Sequence, residues 1–256
     1  MSAADGFDGF DGSDATDATD AAADELGAGA DLDLRRFRAL DLSGRDGSGG
    51  RLLECALTDC RLDGVVLDGA RLLECTLSGL SATTLSSIRA TWRDVTILDC
   101  RFGALDATSA ALTEVVIRGG KIDFVNLRGG SLARVSIQDC WLGEVHLGGA
   151  TISALTLTDC RVDSLEMRGA TATDVDLRGA DLRAVDGVEH LRGCRISEAQ
   201  LQHLAPALAA HAGLLVGDPP SRPSSGSVVR RRPDAAPRTC PGASARHTGR
   251  DRTSDS

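Results

Sequence analysis

Stepping by five from Leu52, every position as far as Leu182 is apolar except Ser87. A helix repeats its apolar face near 3.6 residues and a strand near 2.0, so a period of five fits neither element alone. An unbroken short repeat of this kind is the sequence signature of a solenoid, in which each turn of chain packs only on its neighbours. A second apolar series, two residues earlier in each step, runs from Cys55 to Val185 without one charged residue. Two residues in five therefore point inward. The other three are mostly Thr, Ser, Asp, Arg and Gly.

The second series also carries a longer period. Ala70, Ala90, Ala110, Gly130, Ala150 and Ala170 form a column that is always tiny, while Val65, Leu85, Leu105, Val125, Val145 and Leu165 form one that is always branched. Residues 20 apart thus resemble each other more than residues five apart. Four five-residue sides make one coil, and equivalent residues stack at about 4.8 Å, the spacing of neighbouring strands. On this count the register predicts an all-β solenoid of about seven coils.

The residues Ala170-Thr171-Ala172, Ala180-Asp181-Leu182 and Gly179-Ala180-Asp181-Leu182-Arg183 are the cleanest matches to the pattern A-[D/N]-L-x-x. In them, and over about residues 30–217, the chain resembles the pentapeptide-repeat proteins. Cys, Val or Leu often replaces the Ala, and the middle Asp/Asn is largely lost, as in a divergent member. The resemblance implies a right-handed quadrilateral β-helix.

Four segments follow. Residues 1–30 form an acidic segment in which Asp5, Asp8, Asp11, Asp14, Asp17 and Asp20 recur every third position, with too little apolar content to order itself. Residues 31–190 form the β-helix, beginning in an irregular coil where Ser43–Gly50 reads as a flexible loop. Residues 191–217 form a helical cap: Ser197 with Gln200 is a capping-box signal, Leu201, Leu204 and Leu208 follow at helical spacing, Pro206 should kink or restart the helix and Gly213 should end it. Residues 218–256, with Arg230-Arg231-Arg232 and several prolines, read as a disordered basic tail. The net charge of −9 is unevenly placed, since residues 34–217 carry 23 acids against 20 bases. The acidic N-terminus lacks the apolar stretch of a signal peptide, and no apolar run approaches membrane-spanning length, so a cytoplasmic protein without membrane contact is expected.

Eight cysteines raise the question of disulfides or metal. Six of them, Cys55, Cys60, Cys75, Cys100, Cys140 and Cys160, fall on the inward series and none lies in a CxxC arrangement. They read as small buried hydrophobes. The histidines are isolated, no H-E-x-x-H or G-x-S-x-G occurs, and the Gly-rich stretch lacks the Gly-Lys-Ser/Thr ending of a phosphate loop. No enzyme, cofactor or metal is expected.

Function is then to be sought on the outward columns. Glu54, Glu74, Asp94 and Glu114 fall on one corner of consecutive coils, and Asp59, Asp99, Asp139 and Asp159 on the next corner. A further column carries Arg101, Lys121, Trp141 and Arg161, of which Trp141 is the aromatic anchor candidate. These features suit a scaffold that binds another protein. The resemblance implies a sharper alternative, a DNA mimic that inhibits or protects DNA gyrase, a type II topoisomerase. A body charge of only −3 argues against phosphate imitation, and direct nucleic-acid binding by the solenoid is not expected. The bland alternative is that corner carboxylates accept turn N–H bonds and pair with Arg71, Arg93 and Arg118. The apolar residues left over on the cap could join two copies into a homodimer.

Overall fold

The computed structural model describes residues 19–217. The tails expected over residues 1–18 and 218–256 lie outside that range. Parallel pairings run from Thr19–Asp20 to Cys194–Arg195 in about nine turns, two more than the register suggests. Through the middle of the chain the register is 20 residues. Leu52 pairs with Leu72, Leu72 with Trp92, Trp92 with Leu112, Leu112 with Leu132, Leu132 with Ile152 and Ile152 with Ala172.

The five-residue step has a backbone cause. An extended chain alternates in and out, which accounts for two inward residues separated by one outward residue. To return inward after five, the chain must break that alternation once. At three of the four corners it does so with a left-handed residue: Glu54, Asp59, Glu74, Arg89, Asp94, Asp99, Ser109, Glu114, Arg134, Asp139 and Asp159 all have φ between 50° and 58°, whereas Thr84, Ala104, Phe124, Glu144 and Ser164, at the fourth corner, stay within strands. Gly64, Gly69, Gly129, Gly149 and Gly169 occupy the same fourth position with φ between 64° and 71°. Where the N–H two residues past the inward residue's successor closes back, as Val65 to the Leu62 carbonyl or Ala70 to the Leu67 carbonyl, at 3.1 and 3.0 Å, the corner is a type II turn. The corner amides of the acidic column donate to the next coil instead: Glu54 to the Leu73 carbonyl and Glu74 to the Arg93 carbonyl, each at 2.9 Å. The ladder therefore continues round the corners.

The inward series fill a single apolar core. Trp92, Phe37 and Phe102 are its largest fully buried side chains, and Ser87 is buried with them. Gly120, Ala172 and Val185 are inward positions that stay partly exposed. Ala172 lies where the last coil slips, Val175 pairing with Cys194 rather than with residue 195, and a cleft of about 580 Å³ opens beside it against His190 and Gly193.

Three boundaries differ from the sequence reading. Residues 19–30 belong to the solenoid: Thr19 pairs with Arg35, Ala21 and Leu26 are buried, and Glu25 pairs with Arg35. The step there is 16 residues and the buried pair sits one position out of register, so counting in fives misses this coil. Ser43–Gly50 is no loop. Arg45 closes on the Leu42 carbonyl and Gly50 on the Gly47 carbonyl, both at 3.1 Å, making two tight corners whose amides, such as Gly44 to the Asp63 carbonyl at 2.8 Å, join the next coil. At the far end the ladder reaches Arg195, past residue 190.

The cap helix, Glu198–His211, begins with the expected box: Ser197 Oγ accepts from the Gln200 amide at 3.2 Å and Gln200 Oε1 from the Ser197 amide at 2.7 Å. It runs through Pro206, where the amide bond to the carbonyl of Gln202, an exposed residue, is forfeited. Gly213, at φ 73°, ends it, and the Leu214 amide reaches the Ala209 carbonyl at 2.9 Å in a Schellman closure. Leu204 is buried and Leu208 half-buried, whereas Leu201 is exposed. Gln200 adds a contact absent from its capping role: its Nε2 donates to the carbonyls of Leu177 and Ala180, both at 2.6 Å, closing the last regular coil.

Candidate interaction surface

Glu54, Glu74, Asp94 and Glu114 are exposed and stand on one corner of four consecutive coils, since Leu53 pairs with Leu73, Leu73 with Arg93 and Arg93 with Thr113. They share more than proximity. Asp94 hydrogen-bonds to Glu114, and this contact holds the Asp94 carboxyl above its ordinary pKa. The same bond, with the Arg134 guanidinium, holds Glu114 below its own. Arg134 Nε lies 2.7 Å from Glu114 Oε1, and Arg93 Nε is 3.8 Å from Asp94. Arg93 is thus the one ladder partner expected from the sequence that is in place.

Corner carboxylates do not cap the turns here. That work falls to carboxylates two residues before a turn amide. Asp41 accepts from Ser43 at 3.0 Å, Asp46 from Ser48 at 2.9 Å, Asp106 from Thr108 at 3.1 Å and Glu166 from Arg168 at 3.0 Å. The first three are Asx turns, and the Asp-x-Ser/Thr spacing was their sequence signal. Asp176 does the same for Arg178 and also receives its guanidinium, which takes the Asp176 carboxyl down to about 2.

On the second acidic corner Asp59 and Asp99 lean along the solenoid. A Cβ on Gly79 or Gly119 would meet Asp59 Oδ1 or Asp99 Oδ1 at 2.2 Å. Asp and Gly therefore alternate on this corner as far as Asp139 because each carboxylate occupies the space above the next coil's glycine.

The Arg101, Lys121, Trp141, Arg161 column is in register as the sequence places it. Trp141, however, is occupied within its own face. Lys121 Nζ lies 3.8 Å from the centroid of the indole ring, Arg161 stands on it at 6.0 Å, and the indole N–H donates to Asp163 at 3.1 Å. Asp163 also receives Arg161 at 3.2 Å and Arg183 at 3.4 Å. This packing accounts for an aromatic residue on the outside and leaves only part of the ring to another molecule.

Between the two acidic corners lies an almost uncharged side. Of its twelve outward residues from Ala56 to Thr158, only Arg118 is charged. A shallow depression of about 460 Å³ is lined by Thr76, Ser78, Thr96, Leu98, Val116, Arg118 and Gln138, and Val116 is 38% exposed. The six inward cysteines are buried thiols. Each donates to the carbonyl two residues earlier, as Cys75 to Leu73 at 3.3 Å and Cys100 to Leu98 at 3.3 Å, and burial pushes both of these thiols up to about 11. Among the described residues no group of three or more His, Cys, Asp or Glu is placed to hold a metal ion, and no helix is long and apolar enough to cross a membrane.

No family model and no curated protein matches the sequence. Among solved structures, the chain is similar to HetL, a pentapeptide repeat protein involved in heterocyst differentiation regulation from the cyanobacterium Nostoc sp. The identity is 20% and the TM-score 0.34, covering 66% of this chain and 84% of that one. It is also similar to a trypsin-treated form of QnrB1, a plasmid-mediated fluoroquinolone resistance protein, at 16% identity and TM-score 0.29, covering 77% of this chain and 96% of that one. By its own five-residue step, its 20-residue coil and its left-handed corners, the chain folds as a parallel β-solenoid with four five-residue sides to a coil.

Proposed function

We propose that this chain is a non-enzymatic scaffold that binds another protein through the Glu54–Glu114 corner. The observation that carries the reading is that four carboxylates stand exposed in register, at about the strand spacing of 4.8 Å, without serving the backbone of their own turns. A fold needs no such ladder, and like charges this close repel, by about 1 kcal/mol per pair in water. The test is affinity capture from the native cell with the wild-type chain and with Glu74→Lys/Asp94→Lys/Glu114→Lys. Proteins held by the first and lost by the second, with melting unchanged, support the site. An identical captured set overturns it.

The same ladder favours a second reading, mimicry of DNA towards gyrase. Charge density weighs against it. B-DNA carries one negative charge per about 1.7 Å of axis, whereas one acidic corner supplies one per about 4.8 Å. Gyrase supercoiling that is unchanged by micromolar purified protein ends this reading. We also propose that Leu201, Leu214, Leu215 and Val216, all exposed at the C-terminal cap, join two copies of the chain. Sedimentation equilibrium showing monomer alone would refute that.

A further inference from the structure

We propose that the uncharged side between the two acidic corners is a docking surface for a cationic amphipathic helix of a partner protein. The inference rests on the protein-binding reading and adds the surface and the chemistry of what it takes. Its centre is the depression lined by Thr76, Ser78, Thr96, Leu98, Val116 and Gln138, with Arg118 at its edge toward Gly119, which offers methyl, hydroxyl and amide groups and an exposed valine. Along one border run Glu54, Glu74, Asp94 and Glu114, and along the other Asp59, Asp99, Asp139 and Asp159, all exposed. At one end Arg36 and Arg38 close the strip, and at the other Asp176 pairs with Arg178 at 2.6 Å. Arg118, the single cation within it, stands beside Gly119, where the second border lacks a side chain. A neutral centre between two anionic borders is complementary to an apolar stripe flanked on both sides by Lys or Arg.

Pitch selects a helix as the occupant. Along the first border the acids repeat at about 4.8 Å, and along the second, where Asp alternates with Gly, Asp59, Asp99 and Asp139 repeat at about twice that. A helix laid lengthwise presents flanking residues once per turn, about every 5.4 Å, so three successive turns stay within reach of successive acids. A strand places same-side residues about 6.7 Å apart and loses that register after one coil. From Glu54 to Glu114 is three coil steps, about 14 Å, which about ten helical residues span at 1.5 Å each. Long basic side chains can lay their stems on the Thr and Val surface and reach the borders with their charged ends.

The probe is an 18-residue synthetic peptide with a leucine stripe flanked on both sides by lysine. It is fluorescently labelled and titrated with the full chain in 0.15 M salt. Comparison peptides replace every lysine by glutamate, or every leucine by serine. The expected result is binding of the first peptide, none of the glutamate form, and at least tenfold weaker binding of the serine form. Thr96→Arg/Val116→Arg and Glu74→Gln/Asp94→Asn should each weaken it at least tenfold, while Glu144→Lys/Asp181→Lys, on other parts of the solenoid, should change it less than twofold. Thermal melting checks that every variant is folded, and the glutamine–asparagine variant keeps the test open should the arginine variant unfold. Equal binding of the serine peptide, equal loss in the Glu144/Asp181 variant, or no binding to the wild-type chain overturns the proposal. If capture from cells depends on the ladder while the peptide does not bind, the scaffold reading stands and this one fails.

Discussion

Trp92 is the largest fully buried side chain, and its one polar atom explains the single exception in the apolar register. Its indole N–H donates to Ser87 Oγ at 3.0 Å, with both residues fully enclosed. Ser87→Ala should leave that N–H unpaired and cost about 1–3 kcal/mol. Ser87→Ala/Trp92→Phe should cost less than the two single changes added together, measured by guanidinium unfolding. Additive losses would mean the bond matters little. Asp94 and Glu114 make a second residue-scale case. A carboxyl held above its unfolded pKa, as Asp94 is, contributes stability below the ordinary Asp range and loses it as pH rises through the folded value. Glu114, held below its own value, contributes the opposite, lost as pH falls. A carboxyl-carbon NMR titration should find Asp94 titrating high and returning toward normal in Glu114→Ala. At this scale the sequence exposed Ser87 as an anomaly without its partner, because residues five apart meet only once the coil is folded. It also left the corner backbone unread, since Glu and Arg are not residues that advertise a left-handed conformation.

The coil and its corners are the unit at the next scale, and glycine position decides how a corner tolerates change. Gly149 has φ 67° with open space around a would-be Cβ, whereas at Gly120, φ 85°, that atom would lie 2.1 Å from the Cys100 carbonyl oxygen. Gly149→Ala should cost about 1–2 kcal/mol from the backbone alone. Gly120→Ala should cost at least twice as much, because a backbone carbonyl must move; equal losses in thermal unfolding would contradict this. The cap offers a similar contrast. Gln200→Ala removes the donor to Leu177 and Ala180 and should cost about 1–3 kcal/mol, with hydrogen exchange rising first over residues 171–182. Exchange rising instead in the central coils would show that the cap does not hold this end. Coil length, inward columns, the buried cysteines and the capping box were legible because each repeats or carries its own local signal. The first coil was not, as Ala21 and Leu26 sit one position off the register. The glycines of Ser43–Gly50 misled because a flexible loop and a pair of tight turns share one composition.

For the solenoid taken whole, each coil touches only its neighbours, so surface chemistry is arranged in columns and sides. The acidic corners and the Trp141 column stack in register from coil to coil. Sequence could not show that Trp141 is held between Lys121, Arg161 and Asp163, which depends on side-chain directions across three coils. Nor did it single out the neutral side, which is defined by what is missing between the borders. The central claim is that these borders are where a partner binds. Carboxyl footprinting tests it most directly: acids are labelled with a carbodiimide and an amine in the chain alone and bound to the protein it captures from its own cell. Glu54, Glu74, Asp94 and Glu114, with Asp59, Asp99, Asp139 and Asp159, should be protected in the complex, while Asp123, Glu144 and Asp181 keep their labelling. Protection of the second group, or of neither, would contradict the account.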